Sequence, residues 1–209
     1  MTTMTEPTTS TLDVPGATLT YDIRPGEAAT PILMVIGSPM GASGFGTLAR
    51  HFPDRTVVTY DPRGVERSIK ADPASPSTPD EHADDLHRLI AELDAGPVDI
   101  FASSGGAVNA LALVAQHPEQ VRTLVAHEPP LAAILPDREG ALALTEAVHD
   151  TYQRSGFGAG MAQTAFFLSS RIRAKRPKPP PRKWSETSCM ISGLRRSGLS
   201  VPYLDTHSR

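Results

Sequence analysis

The sequence has one cysteine, few aromatic residues and no long hydrophobic run. Cys189 has no second cysteine to pair with, which excludes an internal disulfide and favours a reducing compartment. The longest aliphatic run near the N-terminus, residues 32–36, is far too short to span a membrane. Residues 1–12 lack the basic and apolar regions of a secretory signal. These absences predict a cytoplasmic protein with no membrane segment.

The composition suits one globular domain followed by a different kind of segment. Hydrophobic residues make up 39% of the 209 residues and aromatic residues only 5%, so the predicted core is aliphatic. The net charge of -3 is divided unevenly, because residues 171–209 have ten Lys and Arg against two acidic residues. Residues 1–170 therefore carry the excess of negative charge. We expect residues 171–209 to be a disordered, basic, proline-rich tail.

The order of predicted elements indicates an α/β fold. Short apolar or alternating runs predict strands at residues 17–23, 32–36, 56–60, 98–102 and 121–126. Helical patterns lie between them, and the clearest begins at Thr78, where Pro79 and Glu81 complete a capping box. Strand and helix alternate three times in succession. This alternation predicts an open, mostly parallel sheet with helices on both faces.

The same patterns divide the chain into four parts. We expect a flexible N-terminal arm over residues 1–16 and an α/β core over residues 17–135. A partial helical cap is predicted over residues 136–170, with Gly156, Gly158 and Gly160 interrupting its helical pattern. The basic tail over residues 171–209 follows.

Ser104 lies where a predicted buried strand turns sharply into a helix. The surrounding Ala102-Ser103-Ser104-Gly105-Gly106 follows the G-x-S-x-G pattern, except that alanine replaces the first glycine. Small residues on either side of such a serine let strand and helix approach each other around a strained turn. The pattern makes Ser104 a candidate nucleophile, although a short run of serine and glycine is also compatible with an ordinary loop.

Four motifs in this order resemble the α/β-hydrolase family over about residues 17–170. They are Gly37-Ser38-Pro39-Met40-Gly41, Asp61-Pro62-Arg63-Gly64, the serine turn, and the segment from His117-Pro118-Glu119 to His127-Glu128-Pro129-Pro130. The resemblance implies a serine hydrolase that acts on an ester or similar acyl compound, with no metal and no cofactor. A small-molecule substrate is then the expected partner.

The resemblance also implies where the oxyanion of the reaction is held. In the family, two backbone N–H groups stabilise it, one after the nucleophile and one from an earlier glycine-rich loop. By position these belong to Gly105 and Ser38, with Met40 as the less favoured alternative to Ser38. Ile36 stands where the family commonly has a histidine, which would weaken the rigidity of that loop rather than the chemistry.

Two further sets of residues receive roles from the resemblance. Asp61 and Arg63 are expected to be structural, because this turn buttresses the oxyanion loop in the family. Glu128 follows the last predicted strand at the carboxyl edge of the sheet, where ligands bind in open α/β sheets. Glu128 would line the pocket or, in a minority arrangement, serve as the acid of a catalytic triad.

The acid and histidine that complete a triad are not found where the family has them. They normally follow two further strands, whereas residues 171–209 contain no clear aliphatic strand. Asp205 and His207 have suitable side chains but lie two residues apart on one loop. We therefore expect the hydrolase pattern to be truncated near residues 168–171, by a change of reading frame or at an alternative terminus. The nucleotide sequence across codon 170 tests this expectation.

A different class of function is a non-catalytic binding protein, or a degenerate hydrolase, whose basic tail contacts an acidic partner. The tail would supply a salt-dependent attraction. Nucleic acid is not the expected partner, because the tail's charges are not interleaved with an aromatic platform and such segments are usually solvated. The substrate and the oligomeric state stay open at this point.

Overall fold

A computed structural model of the chain describes residues 6–26 and 30–174, without the side chains of residues 157 and 167–174. The chain divides into two compact units, Met1–Leu131 and Ala132–Arg209. The disordered character predicted for the basic tail lies outside the described residues from position 175 onward.

The described part of the first unit is built from strands and helices that alternate along most of its length. The strands are β1 (Thr8–Val14), β2 (Ala17–Arg24), β3 (Leu33–Ser38), β4 (Val57–Asp61), β5 (Ile69–Lys70), β6 (Val98–Ser104) and β7 (Val121–His127). The α-helices are α1 (Gly46–Ala49), α2 (Pro79–Leu93) and α3 (Gly105–Gln116), and single 3-10 turns cover Ala42–Phe45 and Pro118–Gln120.

The seven strands form one sheet in the order β1-β2-β4-β3-β6-β7, with β5 beside β2. Strands β4, β3, β6 and β7 run parallel to one another, and β2 is antiparallel to its three neighbours. The predicted fold class, an open and mostly parallel sheet, is confirmed. In the described part of the chain β7 is the last strand of the sheet.

Helices cover both faces of this sheet, as predicted. On one face, Met34, Ile36 and Ile100 pack against α2 and α3 and are 1% exposed or less. On the other face, Leu33, Val35 and Val57 pack against the segment that includes Phe45 and Ala49. The core is mainly aliphatic, in agreement with the low aromatic content.

The expected flexible arm over residues 1–16 is wrong for the part that the structure describes. Residues Thr8–Val14 form β1, which pairs antiparallel with β2 along its whole length. The connection passes through Gly16, whose φ of 75° suits the tight turn. The threonines of this segment are β-branched and favour a strand. Because β1 lies at the edge of the sheet, few of its side chains are buried and no hydrophobic run marks it.

The second unit contains a 3-10 turn at Ala132–Ile134 and a long helical segment, α4 (Arg138–Ala174). The helix is interrupted at Gly156, with φ 80° and ψ 178°, one of the three glycines predicted to break it. Residues 171–174, assigned to the tail by composition, instead continue α4. The reason is that basic side chains are compatible with a helix, whereas the prolines that end one begin only at Pro177.

The capping box predicted at the start of α2 is present. The Glu81 backbone N–H donates to the Thr78 hydroxyl at 3.2 Å, and the Thr78 backbone N–H donates to the Glu81 carboxylate at 2.8 Å. The first turn of α2 also contains His82. Burial lowers the pKa of His82 below its ordinary value of 6.5, and its Nδ1 has no hydrogen-bond partner in the described part of the chain.

His82 makes the stability of the protein depend on pH. The unfolded chain takes up a proton at His82 below about pH 6.5, whereas the folded chain does so only at lower pH. The stability contributed by the neutral ring is therefore fully present above pH 6.5 and declines as the pH falls toward the lowered pKa. We expect His82→Gln to flatten the pH dependence of the denaturant midpoint between pH 7.5 and 5.5. His51 is exposed, and the control substitution His51→Gln should leave the pH dependence of the denaturant midpoint as it is in the wild-type protein.

Candidate active site

Ser104 is the last residue of β6 and the N-cap of α3. Its φ of 55° and ψ of -126° lie in a region that residues other than glycine rarely adopt. This conformation turns the chain sharply and leaves Ser104 exposed at the carboxyl edge of the sheet. The Ser104 hydroxyl makes no hydrogen bond within residues 6–26 and 30–174.

Glycines hold the turn tightly against the loop that follows β3. A Cβ on Gly106 would lie 2.7 Å from the Cα of Gly37, and one on Gly105 would lie 2.8 Å from the carbonyl oxygen of Ser38. Real Cβ atoms do not approach backbone so closely, so both positions require glycine. Ala102, which replaces the first glycine of the pattern, is fully buried in the core beside α3. Its extra methyl group is therefore accommodated.

Ser38 lies beside Ser104 across the parallel pair formed by β3 and β6. The register joins Ser38 to Ser104 and Gly37 to Ser103, at the carboxyl ends of both strands. The Ser38-Pro39 peptide bond is cis, and Met40 is 43% exposed. The structure thus brings together Ser38, Ser104 and Gly105, the three residues to which the sequence assigned the nucleophile and the oxyanion donors.

Asp61, at the end of β4, braces the loop after β3. Its carboxylate is fully buried and accepts a hydrogen bond from the Ala42 backbone N–H at 2.7 Å and another from Arg67 Nε at 2.6 Å. Gly41 packs so closely that a Cβ there would lie 2.6 Å from Asp61 Oδ1. The structural role predicted for Asp61 is confirmed. It also explains how the loop is held although Ile36 replaces the histidine.

Arg63 connects the same turn to α2. Its Nε and Nη2 donate to the two carboxylate oxygens of Asp85 at 2.7 and 2.6 Å, and its Nη1 lies 3.2 Å from Glu81. These hydrogen bonds raise the pKa of the Arg63 guanidinium above its ordinary value. The Arg63 side chain is 4% exposed and that of Asp85 is fully buried. Arg63 is structural, as predicted.

His127 and Glu128 lie at the end of β7, the strand beside β6. His127 Nδ1 is 3.2 Å from Ser103 Oγ, and its ring stacks on Phe101 with centroids 5.9 Å apart. Glu128 is exposed and has a φ of 50°, a second strained residue at this edge of the sheet. In the described part of the chain, the Glu128 carboxylate makes no hydrogen bond or ion pair.

The contact between Ser103 and His127 was not anticipated from the sequence. Both residues lie at the carboxyl ends of neighbouring parallel strands, and the register pairs them directly. Their common position at strand ends was the signal that could have linked them. However, no hydrogen bond joins a histidine to Ser104 among the residues that the structure describes, and Asp205 and His207 lie outside them.

The described residues contain neither a cluster suited to a metal ion nor a helix suited to crossing a membrane. No group of three His, Cys, Asp or Glu residues stands close enough to hold a metal ion in that part of the chain. None of the described helices combines the length and the apolar character that crossing a bilayer requires.

The strained serine, the close-packed glycines and the sheet order agree with the protein family that the chain matches. The family model described as the alpha/beta hydrolase fold matches residues 30–176, more than half of the chain. The chain belongs to the α/β-hydrolase family. Within this α/β hydrolase, the matched region begins before β3 and extends just past the end of α4.

Known hydrolases match the chain over part of their length. The uncharacterised hydrolase YraK of Bacillus subtilis (strain 168) is 42% identical over 130 residues, which cover 62% of this chain and 47% of YraK. A hydrolase from Pseudomonas aeruginosa PA01 has a structure with TM-score 0.60 and 23% identity, covering 82% of this chain and 63% of that one. The chain spans about half the length of the curated relatives it matches.

Proposed function

We propose that this α/β hydrolase carries the nucleophile of a serine hydrolase for esters or similar acyl compounds. In this proposal Ser104 Oγ attacks the acyl carbon, and the backbone N–H groups of Gly105 and Ser38 stabilise the oxyanion that forms. The observation that carries the proposal is the backbone conformation of Ser104 at the junction of β6 and α3. A strained turn there presents a serine hydroxyl above the sheet in this family.

The close packing around Ser104 supports the two proposed oxyanion donors. Gly105 follows the nucleophile, and Ser38 stands beside it in the neighbouring strand. Asp61 holds the loop that follows Ser38 through its bond to Ala42, so the loop does not need to reorganise when charge develops. A preorganised donor of this kind contributes about 100-fold to 1000-fold to the rate of acyl transfer.

The described residues do not supply a catalytic base for Ser104. The hydroxyl proton has to leave as the acyl bond forms, and in the family a histidine accepts it. His127 is bonded to Ser103 instead. Glu128 stays a candidate for the triad acid or for lining the pocket, because it follows the strand next to β6 and its carboxylate is exposed.

The chain as given is expected to show little or no turnover of p-nitrophenyl esters. Loss of the base removes a factor on the order of 10⁶ from the rate of a serine hydrolase, because nucleophile and base act as a unit. Steady-state release of p-nitrophenol checks this expectation against buffer alone. Rapid hydrolysis that Ser104→Ala abolishes and Ser103→Ala retains would contradict it, because it would require a working base.

Reaction with a fluorophosphonate tests the nucleophile without requiring turnover. At pH 9 hydroxide takes the place of the base that the described residues do not supply, so slow addition of one equivalent is expected on the full chain. Intact-protein mass measures the adduct. Ser104→Ala should give none, and an equal adduct on wild-type protein and on Ser104→Ala would show that the proposed nucleophile is wrong.

The alternative of a binding protein with a basic tail depends on residues outside the described part of the chain. Salt-sensitive retention on heparin that is lost on deletion of residues 171–209 would favour it. A small-molecule substrate and a cytoplasmic location remain parts of the proposal.

A further inference from the structure

Glu66, in the turn after β4 (residues 62–68), has a backbone conformation that a side chain disfavours. Its φ is 47°, in the left-handed region where glycine is the favoured residue. The same turn has a glycine at its other left-handed position, Gly64, whose φ is 73°. Glu66 is exposed, so burial in the core does not account for a glutamate here. Strained residues persist where the surrounding structure holds them, and they cluster at functional sites.

The side chain of Glu66 reaches back to the oxyanion loop, residues 37–45. The Ser43 hydroxyl donates a hydrogen bond to Glu66 Oε1 at 2.8 Å. Glu66 also packs over Gly41, because a Cβ on Gly41 would lie 2.8 Å from Glu66 Cδ and 2.9 Å from Oε1. The Glu66 carboxylate therefore lies against the backbone of one loop residue and holds the side chain of another.

Asp61 holds the same stretch of the loop through a different atom. Its Oδ1 accepts a hydrogen bond from the Ala42 backbone N–H at 2.7 Å, and its Oδ2 accepts one from Arg67 Nε at 2.6 Å. Arg67 is the neighbour of Glu66 in the sequence. Together, Asp61 and Glu66 contact three consecutive residues of the loop, 41–43, through two carboxylates.

The loop residues that these carboxylates hold lie just after Ser38 and Met40, the two candidates for the oxyanion donor of the loop. Ser38 is fixed from the other side by the pairing of β3 with β6. The segment between Ser38 and Gly41 is therefore held at both of its ends. Donors that are already in place when charge develops stabilise the oxyanion without reorganisation. Loss of one anchor would weaken that stabilisation without removing a donor.

We propose that Glu66 is a positioning residue for the oxyanion loop, and that its strained backbone directs its carboxylate to Ser43 and Gly41. The inference rests on the proposed function of Ser104 as a nucleophile, because its consequence is a faster reaction at Ser104. In this role Glu66 acts through the loop and contributes no group to the reaction itself.

Glu66→Gly tests the proposal, because it relieves the backbone strain and removes the carboxylate at once. We expect the denaturant midpoint to stay the same or rise. The rate of fluorophosphonate addition to Ser104 at pH 9 should nevertheless fall about threefold to tenfold, the range expected for one hydrogen bond. A merely structural role would make the rate follow the stability, so this divergence is the diagnostic result.

Asp94→Gly is the matched control for the relief of strain. Asp94 is also exposed and has a φ of 44°, but it lies at the C-terminal end of α2 and makes no contact with the loop among those given by the described hydrogen bonds. This variant should leave the addition rate unchanged. Addition in Glu66→Gly at the rate of the wild-type protein and of Asp94→Gly would overturn the proposal.

Two further variants test the contact between Glu66 and Ser43. Glu66→Gln keeps an oxygen that can accept from the Ser43 hydroxyl and should restore most of the rate. Ser43→Ala removes the donor and should slow the addition, and the losses from Ser43→Ala and Glu66→Gly should not add in the double variant. Fully additive losses would contradict a shared contact.

Amide hydrogen exchange gives a measurement that does not depend on the reaction at Ser104. Exchange in the segment 39–45 should be faster in Glu66→Gly than in the wild-type protein and in Asp94→Gly. An equal fluorophosphonate adduct on wild-type protein and on Ser104→Ala would mean that the proposed nucleophile is wrong. In that case unchanged exchange would also overturn the role of Glu66, whereas faster exchange would support it as the residue that holds the loop.

Discussion

Asp85→Ala is expected to lower the free energy of unfolding by about 3–5 kcal/mol. Among the described residues, the substitution leaves the buried Arg63 guanidinium with only Glu81, 3.2 Å from Nη1, and a weak bond to the carbonyl oxygen of Pro15 at 3.4 Å. A charge that loses its partner inside a protein retains its desolvation cost. Domains are stable by only about 5–15 kcal/mol, so this loss is a large share of the total. Chemical denaturation measures it.

Two control variants distinguish the loss of a partner for the buried Arg63 charge from other causes of destabilisation. Arg88→Ala breaks an exposed pair with Asp84 on the same helix and should change the free energy of unfolding very little. The double variant Arg63→Met/Asp85→Leu removes both charges and should recover most of the loss. If Asp85→Ala costs no more than Arg88→Ala, the pair does not connect the turn after β4 to α2 in the way described.

Gly106→Ala is expected to have the second-largest effect, because it places a methyl group against the backbone of the oxyanion loop. The new Cβ would lie 2.7 Å from Gly37 Cα, and neither backbone segment can rotate away as a side chain would. Overpacking of this kind costs about 1–3 kcal/mol, although alanine is otherwise favoured over glycine in a helix by about 0.5–1 kcal/mol. Addition of the fluorophosphonate at Ser104 should slow as well.

Gly46→Ala is the matched control for this substitution. Gly46 also lies in the first turn of a helix, with φ -54°, but a Cβ there would meet nothing within 4 Å. It should leave stability unchanged or raise it slightly. Denaturant midpoints of the two variants provide the measurement. Equal midpoints would mean that Gly106 and Gly37 are not in close contact.

The buried part of the fold could be predicted well because its signals are local. Strands β3, β4, β6 and β7 are short, mainly apolar segments, and their predicted bounds differ from the observed ones by no more than two residues. By contrast, β1 and β5 were missed. Both pair with β2, and they expose most of their side chains. Such strands pair with β2 through their backbones, so their own residues show no hydrophobic pattern that would predict the pairing.

In the candidate site too, features that depend on local sequence could be predicted and features that depend on distant segments could not. Ser104 could be located because its turn depends on the residues directly around it. The close contact between Ser103 and His127, and the bond from Ala42 to Asp61, depend on the register and the ends of strands that are distant in the sequence.

The proposal that Ser104 is the nucleophile is tested most directly by mapping the fluorophosphonate adduct to one residue. Ser103 is the natural competitor, since it is adjacent in sequence and bonded to His127 at 3.2 Å. Peptide mass spectrometry after labelling should place the adduct on Ser104 in the wild-type protein and in Ser103→Ala, and should find none in Ser104→Ala. An adduct on Ser103 that persists in Ser104→Ala and disappears in His127→Ala would contradict the assignment.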